Sequence, residues 1–410
     1  MENDLIVIGA GPAGMMAAQT AATRGKSVLL LDQNEKAGKK LFITGKGRCN
    51  ITNDCDADDF FTNISRNGKF LMSAFHAFSN HDLIRSLNQN GLKTKVERGG
   101  RVFPESDKSN DVIKTLERMM SAAGVKTQYG SKVVSIEKKG DFFSVLLQDG
   151  TKLKSGALLI ATGGKSYPLT GSRGDGYRFA QEFGHTIVPA APALVPLEDA
   201  HGICRKMQGL TLKNVGFTLL QNSKKIYYDQ GELLFTHFGL SGPLVLSASN
   251  AIHHKKQPLA LIAEIDLKPA LTEEKLNARI LREFEANTNK QLKNIMTALL
   301  PSKLIHPFLS EIRLDGEQAV NAITREQRTA LCHGLKHFSI RIADTRPMEE
   351  AIITAGGVDV KQVNPSTMES KIVKNLYFAG EILDVHALTG GFNLQIAFST
   401  GFLAGENVFN

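Results

Sequence analysis

Tryptophan is absent from this chain and cysteine is scarce. Cys49, Cys55, Cys204 and Cys332 are the four among 410 residues. Five residues separate Cys49 from Cys55, so there is neither a C-x-x-C redox motif nor a paired zinc ligand. Scattered cysteines argue against a disulfide-stapled secreted scaffold. No His/Cys cluster has metal-ligand spacing, and no metal is expected. No apolar run approaches the roughly 18 residues that a membrane-spanning helix needs, so no membrane partner is expected. The chain enters its first apolar stretch by residue 5 with no basic region before it, unlike a secretory leader. A cytoplasmic location is the expectation. Internal repeats and low-complexity tracts are also missing.

What remains is an ordinary globular composition, 42% hydrophobic and 22% charged, long enough for two or three domains. The balance of 49 basic against 41 acidic side chains leaves a net charge of +8. That favours an anionic partner: nucleic acid, a phosphorylated substrate or a cofactor. Charge alone fits an unremarkable basic enzyme equally well.

The first thirty-two residues organise the rest. Leu5 to Ile8 reads as a buried strand and runs into Gly9-Ala10-Gly11-Pro12-Ala13-Gly14, a G-x-G-x-x-G. A helical stretch to about Arg24 follows, then Val28 to Leu31, which ends at Asp32. Strand, glycine turn, helix, strand and acid is the order of a dinucleotide-binding βαβ unit. Gly9 permits the turn, Gly11 keeps side-chain bulk away from a pyrophosphate, and Gly14 lets the helix approach the sheet. Asp32 is placed for a ribose. The cationic, glycine-rich stretch Thr44-Gly45-Lys46-Gly47-Arg48-Cys49-Asn50 comes next and can wrap a phosphate or flavin.

Further along, Asp111 to Ala123 reads as a helix capped by Ser109 or Asn110. Residues 132–138, 142–148 and 152–154 read as a three-stranded meander. Ala157 to Ile160 is a separate strand that ends in Ala161-Thr162-Gly163-Gly164. The Pro/Ala stretch from Pro189 to Pro196 marks a domain boundary. Beyond it lie strands, including Leu259 to Leu267, and a helix with Ser241 as its cap and Pro243 in its first turn. His237, just before that helix, is a candidate for an anion site. Four amphipathic helices then lie between residues 272 and 332, and strands return at 337–342 and 375–381. A last helix, rich in small residues, runs from about Leu394 to Val408.

The late motifs point to a flavin. Gly380-Glu381 at the end of a strand puts a carboxylate near a ribose or ribityl chain. Gly390-Gly391 starts a helix whose positive end can face a flavin pyrimidine ring. Cys49 and Cys55 also miss the four-residue spacing of disulfide-reductase flavoenzymes. The ordered motifs at 9–14, 44–50, Phe235-Thr236-His237-Phe238-Gly239-Leu240-Ser241-Gly242-Pro243 and Gly380 to Asn393 resemble the BaiN/YhiN-type flavoproteins over nearly the whole chain. Lys46 stands where that family usually has glycine.

The resemblance implies a glutathione-reductase-like FAD-binding Rossmann domain with an inserted β-barrel-like domain carrying a helical subdomain. The expected boundaries are 1–190 and 345–410 for the FAD domain, 191–268 and 333–344 for the barrel, and 269–332 for the helices. It also implies FAD contacts at Gly9, Gly11, Pro12, Ala13, Gly14, Asp32, Gln33, Lys39, Lys40 and Thr44. Further contacts are implied at Gly45, Gly47, Arg48, Cys49, Asn50, Val134, Ala161, Thr162, Gly163, Gly380, Glu381, Gly391, Phe392 and Asn393. No second G-x-G-x-x-G follows a strand, so NAD(P)H is expected only as a transient reductant docking at the flavin.

The family's assigned activities are reduction of C=C bonds in bile-acid intermediates, dihydrouridine formation in large-subunit ribosomal RNA, and aminoacetone oxidation. The basic balance places 23S rRNA uridine reduction first, small-molecule enone reduction second and amine oxidation third. A non-catalytic flavin-bearing binding factor is the remaining class. Candidate phosphate contacts are Lys39, Lys40, Lys46, Arg48, Arg205, Lys206, Lys213, Lys255 and Lys256. Cys49 and His386 are the candidate proton donors.

Overall fold

The computed structural model describes residues 3–252 and 260–409. Lys255, Lys256 and the start of the strand expected at Leu259 lie outside the described residues. The chain divides into two compact units, Met1–Pro192 with Ala351–Asn410, and Ala193–Glu350.

The first unit is built on a seven-stranded sheet. Strand Asn3–Ile8 lies at its centre, parallel to Val28–Leu31 on one side and to Lys152–Ile160 on the other. All four residues of Val28–Leu31 are buried, as expected of a parallel strand covered on both faces. The expected meander strand and the separate apolar strand after it are one element, Lys152–Ile160. Its first half pairs antiparallel with Phe142–Leu147. Its second half pairs parallel with Leu376–Phe378. The polar-to-apolar change at Ser155 marks where one strand passes from an exposed ribbon into the core, not where a strand ends.

Helix Pro12–Thr23 and the closing helix Phe392–Glu406 pack together along a glycine seam. A Cβ at Gly401 would lie 2.3 Å from the Ala13 carbonyl oxygen, and one at Gly405 2.5 Å from that of Ala17. The small residues of the last helix are therefore required for close backbone approach. Gly401→Leu is expected to cost about 3 kcal/mol through overpacking. An unchanged urea midpoint would show that the two helices do not need this approach.

A local expectation is corrected here. Helix Ser109–Ala122 has Lys108 at its N-cap with no side-chain cap bond. The Ser109 hydroxyl instead donates to the Phe42 carbonyl at 2.7 Å. The Pro/Ala stretch keeps regular structure where the chain passes from the first unit to the second, between Pro192 and Ala193. Ile187–Ala193 is a strand paired with Ile353–Val358.

The second unit is a closed six-stranded barrel. Its long hairpin, Thr211–Gln221 with Lys224–Phe235, is followed by Gly239–Ser241, so Ser241 ends a strand. Gly242, at φ 95°, is the N-cap of the seven-residue helix Pro243–Ser249. Helices Glu273–Glu285, Ser302–Glu311 and Arg325–Lys336 share one apolar core with the barrel strands, in which Leu276, Phe308 and Leu335 meet Phe217, Phe235 and Phe338. Among the described residues no helix is long and apolar enough to cross a membrane.

Candidate functional site

The three glycines of the first turn divide by what requires them. Gly9 is left-handed at φ 108°, and a Cβ there would lie 2.5 Å from the Ala161 carbonyl oxygen. A Cβ at Gly14 would lie 1.9 Å from the Gly9 oxygen. Both are demanded by the protein's own packing. A Cβ at Gly11 would meet no atom of the described residues within 4 Å. Nothing among the described residues explains that glycine, and the space in front of it is open. Gly11 caps helix Pro12–Thr23, which has no side-chain cap and no acidic residue in its first turn. An uncapped helix start with open space before it is suited to an anion.

Asp32 holds this turn from the neighbouring strand. Its Oδ2 accepts from the Ala10 N–H at 2.7 Å, and its Oδ1 accepts from the Asn34 N–H at 2.7 Å. Gln33 Nε2 donates to the Gly171 carbonyl at 2.7 Å, which ties loop 167–174 to the same strand end. Ala161 and Thr162 lie against Gly9 where the sheet order changes direction, the usual ligand position in an open α/β sheet.

The motifs from the two chain ends meet in this unit. A Cβ at Gly380 would lie 2.8 Å from the Ala13 Cβ, and one at Gly391 2.3 Å from the Thr52 oxygen. Asn53 Nδ2 donates to the Gly390 carbonyl at 3.1 Å, and Thr52 Oγ1 donates to Gln395 Oε1 at 2.8 Å. The loop after the first βαβ unit is thereby fastened to the start of the closing helix. That helix is capped by Gly391 at φ 102°, again with no side-chain cap and no acidic first turn. Asn393 is committed to the chain itself: its Oδ1 accepts from the Ala387 N–H at 2.9 Å, and its Nδ2 donates to the Ala387 carbonyl at 2.9 Å. In the cationic loop Gly45, Lys46, Gly47 and Cys49 are all left-handed. Lys46 holds φ 58°, a conformation that costs a non-glycine residue about 1 kcal/mol.

Several buried polar atoms in these segments have no partner among the described residues: Asn50 Oδ1, Thr162 Oγ1 and His386 Nδ1. An unsatisfied buried polar atom costs about 1–3 kcal/mol. Two uncapped helix starts, an open Gly11 and orphaned polar atoms in the expected loops fit an extended phosphate-bearing cofactor such as FAD.

Not every expected residue keeps its expected role. Arg48 is turned away from a phosphate role. It pairs with both Glu97 and Asp107 and lies over the Phe103 ring at 4.2 Å. Lys40 pairs with Glu381 at 2.5 Å and donates to Ser166 Oγ at 2.6 Å. The Glu381 Oε1 also accepts from Ser166 Oγ at 2.9 Å and from the Thr354 N–H at 2.8 Å. This carboxylate ties Lys40, Ser166 and Thr354 together and is less open to a ribose than its motif implies. The Val134 carbonyl accepts from Arg178. Lys39 and Lys46 are exposed. Pro12 and Ala13 form the first turn of the glycine-capped helix, and Phe392 is buried beside Phe60. Thr44 donates to the Leu41 carbonyl at 2.7 Å, and Gly163 is left-handed at φ 73°.

Both proton-donor candidates are altered by burial. Cys49 is fully buried, and desolvation pushes its thiol up to about 12. It has no exposed path to a substrate and is the packed small residue of its loop. His386 is buried in the short strand His386–Ala387, paired with Arg66. Desolvation and the Arg66 charge push it down to about 4, so the imidazole is neutral at pH 7. It cannot deliver a proton as imidazolium at that pH, but it can donate a hydrogen bond, as neutral catalytic histidines do. Asp384, beside it in sequence, accepts from Arg66 Nε at 2.8 Å. Burial still raises its carboxyl above the usual range.

The depressed His386 value carries a stability prediction. The unfolded chain protonates near 6.5 and the folded chain near 4. Stability from this group is therefore complete above about pH 6.5 and is lost as pH falls toward 4, by about 3 kcal/mol in total. Urea midpoints of wild type and His386→Gln at pH 7, 5.5 and 4.5 test it. The variant is expected to lose less on acidification, and parallel losses would show that the imidazole is not buried in its neutral form.

An open groove lined by Gly91, Lys93, Glu105, Asp111, Lys114 and Arg118 contains none of the expected site residues.

A mixed sheet with a glycine-capped helix at the switch point of its parallel part, a second glycine-capped helix returning from the far end of the chain, and a barrel-bearing second unit define a FAD-dependent oxidoreductase with a Rossmann-type FAD domain. Residues 3–407 match the family model described as HI0933-like protein Rossmann domain, and the chain belongs to that family. It is 31% identical to the 3-dehydro-bile acid delta(4,6)-reductase of Clostridium scindens over 98% of each chain. It is 30% identical to the ribosomal RNA dihydrouridine synthase of Escherichia coli, covering 99% of this chain and 98% of that one. Its identity to the ribosomal RNA dihydrouridine synthase of Haemophilus influenzae is 32% over 98% of each. Among solved structures, a 3-ketosteroid-delta4-(5alpha)-dehydrogenase from Rhodococcus jostii shares the fold at TM-score 0.54 and 14% identity, covering 99% of this chain and 96% of that one.

Proposed function

We propose that this protein reduces an activated C=C bond, with uridine in 23S rRNA as the substrate and dihydrouridine as the product. Two relatives are named as ribosomal RNA dihydrouridine synthases and one as a bile-acid reductase, at nearly equal identity. Both named reactions act on a double bond conjugated to a carbonyl. The observation that carries the choice of RNA is charge. The net +8 comes with exposed Lys39, Lys46, Arg205, Lys206 and Lys213, suited to a phosphate backbone. Lys40 and Arg48 leave that set because acidic partners hold them.

FAD, when bound, would supply the hydride in its reduced form, with NAD(P)H as its expected transient reductant. The protein's part is to hold the pyrophosphate at the Gly11-capped helix, the ribose near Asp32, and the electron-rich edge of the ring at the Gly391-capped helix. Dipoles of both helix starts favour negative charge there. Neutral His386 serves as a hydrogen-bond donor within the site.

Deletion of the gene followed by mass spectrometry of purified 23S rRNA tests this reading. A dihydrouridine is expected to vanish and to return with the wild-type gene but not with Gly11→Val. Unchanged rRNA would remove RNA as the substrate. Enone-dependent NAD(P)H oxidation by the purified protein would then support the second reading, small-molecule reduction, which the Clostridium scindens relative favours.

A further inference from the structure

The second unit contains a group of side chains that the flavin chemistry does not use. His333 lies in the last turn of helix Arg325–Lys336, and His337 is that helix's C-cap residue. Glu273 opens helix Glu273–Glu285. One ligand atom from each lies within 4.8 Å of the others. We propose that His333, His337 and Glu273 form a site for a divalent transition-metal ion of the zinc class.

The donor set is two imidazole nitrogens and a carboxylate oxygen, which suits zinc and its borderline neighbours over magnesium or calcium. Ligand atoms at about 2.0–2.2 Å from one tetrahedral ion lie roughly 3.3 Å apart. His337 Nε2 and Glu273 Oε1 are already 3.5 Å apart. The remaining gap is closed by small side-chain rotations, which are open to His333 and Glu273 because both are exposed. The two imidazoles lie on one helix face, with ring centres 4.6 Å apart.

A fourth residue supports the reading. Glu264, on barrel strand Leu261–Asp266, lies 2.9 Å from His337 Nδ1. A carboxylate there accepts the Nδ1 proton, fixes the tautomer and leaves the Nε2 lone pair facing Glu273. That is the carboxylate–histidine–metal arrangement of many protein zinc sites. The neighbouring ionic groups do not compete. Lys336 is held by Asp266 at 2.5 Å, and the Cys332 thiol points to the Glu273 carbonyl at 3.5 Å. Three protein ligands leave a fourth position for water or an external donor. The ion would join one helix start, one helix end and, through Glu264, a barrel strand.

The competing account is a histidinium held between two carboxylates, with no metal. Untagged full-length protein, stripped with EDTA and carrying its FAD, separates the two when titrated with zinc chloride by calorimetry. One stoichiometric site with micromolar or tighter affinity is expected. His333→Ala and, separately, Glu273→Gln should each weaken it at least 100-fold, with far-ultraviolet dichroism and FAD content unchanged. Glu264→Gln, which keeps all three ligands, should weaken it about 10-fold. Absence of a stoichiometric site in the wild type overturns the proposal. So does equal zinc affinity in His333→Ala and Glu273→Gln, which would place the ion elsewhere among the 11 histidines of the chain.

Discussion

Gly11→Val protein should purify folded and colourless. The wild-type protein should be yellow, with one FAD per chain, and the variant should lose at least 100-fold in FAD affinity. The expectation rests on an asymmetry among three glycines of one motif. A Cβ at Gly9 or Gly14 would collide with backbone oxygen, whereas a Cβ at Gly11 enters space that holds no atom of the described residues within 4 Å. Valine at Gly11 therefore leaves the core unstrained and occupies the volume in front of the helix start. Gly14→Val, by contrast, should fail to give folded protein, because its Cβ would lie 1.9 Å from the Gly9 oxygen. Absorbance at 450 nm and the thermal midpoint, measured on both variants, read the two effects separately. A fully yellow Gly11→Val protein would show that the pyrophosphate lies elsewhere.

His386→Phe should retain FAD and lower dihydrouridine formation about 100-fold, while Cys49→Ala should stay within threefold of wild type. The two residues looked alike as proton donors in the sequence, and burial separates them. The Cys49 thiol is fully enclosed and raised to about 12, so its loss removes a packing atom and no usable acid. His386 is neutral, with a buried Nδ1 that no group among the described residues satisfies. A chain that keeps such an atom does so at about 1–3 kcal/mol unless a ligand completes the bond. A hydrogen bond made to charge that develops in the transition state is worth about 2.7 kcal/mol for a 100-fold effect. Turnover of RNA from the deletion strain, with FAD occupancy checked by absorbance, is the measurement. An active His386→Phe protein would leave the imidazole a structural role only.

The nucleotide-binding half was legible because its requirements are local. Strand, turn, helix and acid lie within thirty-two residues, and each leaves a mark in residue type. The return of Gly380 and Gly391 to the nucleotide-binding half was legible as a motif, though not as a contact. Only the folded chain shows Gly391 against Thr52 and Gly401 against Ala13. Ionic commitments were the least legible. Arg48 finds Asp107, and Lys40 finds Glu381, 341 residues further on, across distances no spacing rule spans. The polar-to-apolar change inside Lys152–Ile160 looked like two strands because one element serves an exposed ribbon and a buried sheet in succession. His333 and His337 were four residues apart in plain view. Their third donor, Glu273, is sixty residues from the first, and a search for clustered His/Cys spacing passes over that pattern.

The strand pair Ile187–Ala193 and Ile353–Val358 carries a consequence for the ancestry and engineering of this chain. Thr186 accepts from the Asp359 N–H at 3.0 Å, and a Cβ at Gly356 would lie 2.4 Å from the Pro189 oxygen. Residue numbers thus rise along one strand as they fall along the other. The points where the chain leaves the flavin-binding unit and re-enters it, near 193 and 352, emerge side by side. An inserted segment with neighbouring ends can be lengthened, exchanged for another or removed by a single recombination event, without rethreading the host. The host domain can thus keep its redox machinery while trading the module attached to it.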